Sequence, residues 1–186
     1  MGVKIKIPVP FCLLTGLIKW RCKMSLLVLA LSHLFHLLAT VVWVGGIAMT
    51  LFVILPGTKT ALESAPMVNS VMKEIAKLFT PMANISIPIL IGTGIIIFYY
   101  DKNFTTYLDL KNLWNVMIAL KHLLVAIMII IHFYRGLILN PKIEKFSSQP
   151  NEKQSSRLKK ISLDLVKTNF ALGIIVLLLT AVSISI

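Results

Sequence analysis

Residues 26–55 read LLVLALSHLFHLLATVVWVGGIAMTLFVIL, thirty positions without a single Asp, Glu, Lys or Arg. A bilayer core is about 30 Å thick and takes about 20 apolar residues to cross as a helix. Lipid offers no partner for backbone N–H and C=O groups, so a stretch of this kind must satisfy them internally, as an α-helix. Three further stretches of comparable character follow, and the four spans are expected at about 26–55, 78–100, 113–139 and 161–186. The expected fold is therefore all-α, an integral membrane four-helix bundle with up-down-up-down topology, and the lipid bilayer is its first partner.

The composition agrees. Charged residues make up 14% of the 186 positions and hydrophobic ones 57%, whereas a soluble domain carries roughly 25% charged residues. The formal net charge of +12 would suit nucleic acid, but no basic module with stacking aromatics accompanies it, and nucleic-acid binding is excluded on that ground. The basic residues are instead distributed as membrane topology requires. Positions 135–167 hold eight Lys or Arg against Glu144, Glu152 and Asp164. The expectation is an inner (plasma) membrane protein with loops 56–77 and 140–160 cytoplasmic and both termini outside. Tyr99, Tyr100 and Trp114 mark the outer interface, and Phe133, Tyr134 and Arg135 the inner one. Residues 147–157 read as a solvated loop, and Pro88 as a point where the second span can bend. Only Cys12 and Cys22 are present, with no metal-binding or redox spacing.

Residues 1–23 are treated as a basic N-terminal tail, separate from the four-span domain of residues 24–186. They contain Lys4, Lys6, Lys19, Arg21 and Lys23 around a short apolar run broken by Pro8 and Pro10. Met24 directly precedes the first span, and it is the expected start of the native chain.

All four histidines lie on two spans: His33 and His36 on the first, His122 and His132 on the third. An ionisable group at membrane depth is costly and usually faces the bundle interior or a ligand. Imidazole suits both copper and heme iron. At 100° per residue, His36, Thr40, Trp43, Ile47 and Thr50 share one face of the first helix, and Trp114, Lys121, Met128, His132 and Arg135 form a stripe on the third. In an up-down-up-down bundle these two helices run parallel, and His36 lies within a turn of the depth of Lys121 and His122. His132 is about 15 Å deeper. The candidate cofactor-binding residues are thus His36, His122, Lys121 and His132. His36 and His122 are the expected ligands of a heme iron, with His33 beside His36 as an alternative copper ligand. Packing accounts for the small and polar faces of the other two spans, Thr80, Asn84, Pro88 and Ile91 on the second and Asn169, Gly173, Thr180 and Ser183 on the fourth.

The stretch His36-x6-Trp43-x-Gly45-Gly46 resembles the first-helix signature of the CopD family, membrane proteins associated with copper handling. Lys121-x10-His132 is similar to the third-helix pattern of HemJ-type protoporphyrinogen oxidases, which are four-helix membrane proteins. That second resemblance implies heme b held by His36 and Lys121. The chain departs from the HemJ-type pattern at Ile47-Ala48-Met49-Thr50-Leu51 and at Asn169-Phe170-Ala171-Leu172, and it adds His122, which permits a bis-histidine site. The leading expectation is a b-type heme protein of a membrane redox chain, with quinone or a cytochrome as electron partner. The alternatives are CopD-like copper transport, a HemJ-like oxidoreductase, and a cofactor-free accessory subunit of a complex or homo-oligomer.

Mass spectrometry of natively expressed protein tests the Met24 start. The expected N-terminal peptide begins at Met24 or Ser25, and an intact peptide from residues 1–23 would refute it.

Overall fold

In a computed structural model, residues 16–62, 64–100, 113–147 and 152–185 are described, with side chains in 26–62, 64–100, 115–146 and 154–183. The 101–112 loop, residues 1–15 and the Trp114 side chain fall outside. Four long helices follow in order. Helix α1 is a continuous rod made of Gly16–Thr40, a wide π-helical turn Val41–Gly45, Gly46–Met49, a second π turn Thr50–Ile54, and Leu55–Ala61. Helix α2 is Ala65–Tyr100. Helix α3 runs Leu113–Tyr134, through a π turn Arg135–Leu139, to Asn140–Ser147. Helix α4 is Glu152–Ser185. Each is long and apolar enough to cross a membrane.

The helices outrun the apolar stretches that announce them. Helix α2 has 36 residues, about 54 Å at 1.5 Å per residue, against a hydrocarbon core of about 30 Å. Most of 56–77, expected as a loop, is helical, and α1 ends at Leu62, whose backbone is extended (φ −113°, ψ 128°). Much of the expected 147–157 loop is helix as well, since α4 starts at Glu152. The apolar pattern marks where lipid begins, not where helical hydrogen bonding ends. Outside the lipid the helix is sustained by ordinary polar residues and ion pairs such as Lys77–Glu74 at 2.7 Å. Pro66 sits in the first turn of α2, where a missing N–H is harmless, whereas Pro56 lies within α1, just after its second π turn. Helix α2 continues through Pro81 and Pro88.

Facing residues establish the antiparallel order. His36 meets Thr93 and Gly46 meets Phe79 between α1 and α2. Phe98 meets His122, Asn84 meets His132 and Lys73 meets Glu144 between α2 and α3. Gly173 of α4 meets Met128 of α3 and Val44 of α1. Backbones approach most extensively between α1 and α2 and between α3 and α4. The same levels gather Lys73, Lys77, Lys142, Lys145, Arg157, Lys159 and Lys160 at one end of the bundle.

The buried core is thin: Trp43, Ile47, Ala83, Ile87, Met128 and Val166, with Val44, Phe79, Leu90 and Phe170 packed around it. Large apolar side chains such as Leu37, Phe52, Leu78, Ile85, Ile95, Leu123, Ile130 and Leu178 are exposed all round. Such a surface would drive aggregation in water; in a bilayer it is the surface in contact with lipid. Buried hydroxyls are satisfied within their own helix. Thr40, Thr50, Ser86 and Thr180 each donate to the carbonyl four residues earlier, at 2.8–2.9 Å.

Gly46 is required by the α1–α2 approach, because a Cβ there would overlap the Phe79 ring. A Cβ at Gly45 would touch only Val41, at 3.9 Å. We expect Gly46→Ala to lose about 1–3 kcal/mol, the usual effect of overpacking, and Gly45→Ala to lose nothing. Thermal unfolding of the two variants in the same detergent checks the contrast; equal melting temperatures would mean that Phe79 swings aside freely.

Candidate functional site

The histidines fall into two layers. In the first, His36 projects from α1 to α2, where its Nδ1 lies 2.9 Å from Thr93 Oγ1. The Thr93 hydroxyl donates its one proton to the Ile89 carbonyl at 2.6 Å. Its oxygen therefore accepts, and His36 Nδ1–H is the donor. The Nε2 lone pair remains for a ligand. The ring also lies beside Gly94, where a Cβ would make an ordinary contact with His36 Cε1 at 3.6 Å.

His122 of α3 reaches the same tautomer by another route. Its Nδ1 is 2.7 Å from the Ile118 carbonyl, which can only accept, so Nε2 again carries the lone pair. The ring packs edge-on against Phe98 of α2, 6.1 Å between centroids. Phe98 is about one helical turn from Thr93. Lys121, His33 and His122 all lie within electrostatic range of His36. His33 and His122 are exposed, whereas His36 and Lys121 are half-buried.

His132 belongs to the second layer, on the Asn84 level of α2, about 14 Å along the helix from Thr93. Here the ring is reversed. Nε2–H donates to Asn84 Oδ1 at 2.8 Å, and Nδ1 holds the lone pair. Trp43 of α1 stands edge-on to His132, with centroids 6.1 Å apart. Trp43 is 1% exposed and Met128, one turn from His132, is 2% exposed. Three members of the α3 stripe, Met128, His132 and Arg135 with its buried Nε, thus face the interior.

The fold brings His36, His33, Lys121 and His122 into one neighbourhood and separates His132 from them. Sequence reading missed Thr93 and assigned Asn84 to packing alone. A lone Thr in an apolar span gives no sign of which histidine will reach it. Chemically, the first layer offers imidazole Nε2 lone pairs oriented by fixed Nδ1–H bonds, a donor type that suits copper. It is an open arrangement: among the described residues no group of three or more His, Cys, Asp or Glu is placed to hold a metal ion.

Comparison with known proteins adds one finding. The family model described as copper resistance protein D, CopD, matches residues 73–183. Those 111 positions run through most of α2 and all of α3 to near the end of α4, more than half of the 186. They include Lys121, His122 and His132 but not His36 or Trp43. No curated protein and no solved structure matches the chain.

Asn84→Leu leaves His132 Nε2–H without its acceptor. The expected result is a loss of about 1–3 kcal/mol, the effect of stranding a half-buried donor, read as a fall in unfolding free energy in mild detergent. A stability equal to that of the unaltered protein would show that the bond contributes nothing.

Proposed function

This chain belongs to the CopD family, and from that premise we propose that it handles copper within a membrane, with copper as its cargo. The family match is the observation that supports this reading. His36 and His122 are the proposed donors, through their Nε2 atoms, with His33 as an exposed first contact. Two features suit passage better than storage. The site has few ligands, and Lys121 sets a positive charge near them, which weakens retention of a cation. Thr93 acts through His36, by orienting the ring and fixing its tautomer. His132, about 14 Å deeper, belongs to a separate layer and is not among the proposed donors.

We further propose that the basic end of the bundle is cytoplasmic, following the positive-inside rule, in a plasma-type membrane. The histidine layer at His36 then faces the outer side. The heme b reading with His36 and His122 or Lys121, the electron partners attached to it, and the HemJ-like oxidase gain no support from the comparison.

Copper accumulation by cells expressing the protein, together with copper affinity of the purified protein, tests the proposal. Expression should raise or lower cell copper relative to an empty vector. His36→Ala should abolish that change, and Thr93→Val should weaken copper binding by about tenfold, the usual cost of losing an outer-shell partner. Cell copper that ignores expression, or a purified protein carrying stoichiometric heme with a sharp reduced absorption band, would overturn the copper reading.

A further inference from the structure

One side chain from each helix converges on a single level of the bundle. Trp43 of α1 touches His132 of α3, and His132 bonds Asn84 of α2. Helix α4 is placed by Gly173, which lies against Val44 and Met128. Asn169 is one turn before Gly173 on the same face, and His132 is one turn after Met128. Because α3 and α4 are antiparallel, those two steps go the same way, and Asn169 arrives at the level of His132. Its neighbours Val166 and Phe170 pack in the same core cluster as Trp43.

Two polar atoms at this level are buried and have no partner from the protein: Trp43 Nε1 and Asn169 Oδ1. Their residues are 1% and 4% exposed. Stranding either group unbonded is costly, and lipid supplies no relief. Their chemistries are complementary, since the indole can only donate and the amide oxygen can only accept. His132 adds a third group, the Nδ1 lone pair left over when Nε2–H is given to Asn84.

We propose that an ordered water molecule is bound here by Trp43, Asn169 and His132. The water oxygen accepts from Trp43 Nε1–H, and its two protons go to Asn169 Oδ1 and His132 Nδ1. Three partners are the usual complement of a buried water. The water joins α1, α3 and α4 at a level where α2 is already joined to α3 through Asn84. A metal ion would not serve, because the indole N–H has no lone pair to give it, and an anion would be repelled by the amide oxygen. Three residues further along α3, the buried Nε of Arg135 also has no partner, and it extends this polar layer toward the basic end. The inference does not depend on the copper reading.

The test is nuclear magnetic resonance of the full chain in nanodiscs, with ¹⁵N-labelled tryptophan. Of three tryptophans, the Trp43 indole signal is assigned with Trp20→Phe and Trp114→Phe. We expect a cross-peak from water to the Trp43 indole N–H, which at 1% exposure bulk solvent does not reach. Asn169→Leu should abolish it, and Asn169→Ser, which keeps an oxygen, should retain it. Absence of the cross-peak in the unaltered protein would overturn the proposal, whether or not the leucine variant folds. So would a cross-peak undiminished by Asn169→Leu.

Discussion

A polar group in hydrocarbon has no water to bond, and the organisation of this chain follows from that constraint. The backbone meets it by staying helical without interruption, even across the wide turns at Val41–Gly45, Thr50–Ile54 and Arg135–Leu139. Thr40, Thr50, Ser86 and Thr180 meet it by folding back on carbonyls of their own helices. The histidines meet it differently. His122 bonds its own helix, whereas His36 and His132 each spend one ring N–H on α2. That expenditure decides which nitrogen is left for chemistry, so the packing requirement and the tautomer are the same fact.

The two kinds of helix contact divide the labour. Between α1 and α2 the backbones come close, with glycine where a ring lies on the helix, Phe79 on Gly46 and His36 beside Gly94. Across to α3 the contacts are made by long or ring side chains: His132 with Asn84 and Trp43, His122 with Phe98, Lys73 with Glu144. His122 and His132 thus sit where helix pairs meet through side chains, whereas His36 lies within the close α1–α2 contact. Among the described residues eight apolar side chains are buried, six of them in one cluster; that is small by the standard of soluble domains, and lipid contact over the remaining surface makes a larger core unnecessary.

The π turns bear on the same layer. Trp43 lies inside the first of them and Arg135 opens the last. Such turns rotate the face of a helix relative to a regular α-helix and occur often at functional sites. In α1 and α3 they fall at the ends of two rows of side chains, one from His36 to Trp43 and one from Met128 to Arg135, that face neighbouring helices. Family membership covers α2 to α4, while the His-to-Trp signature lies on α1, outside the matched region. The contacts of His36 with Thr93 and of Trp43 with His132 tie that helix to the matched part.

Predominantly apolar runs long enough to cross lipid leave a chain one choice there, so four helices, their number and their alternation were legible in residues 26–186 without coordinates. The helical period alone also put Met128, His132 and Arg135 on one face, and matched His36 in depth with Lys121 and His122. Helix ends were not legible, because hydropathy reports the lipid boundary and polar residues such as those of 65–77 continue a helix past it. Nor was the environment of any histidine. Thr93 is one hydroxyl in an apolar span, and Asn169 one amide on a face of small residues; nothing local says that one will fix the tautomer of His36 and the other will lie buried with its amide oxygen unpartnered. Those outcomes depend on the register between helices, which is set by where a ring meets a glycine on another helix, and only the assembled bundle determines it.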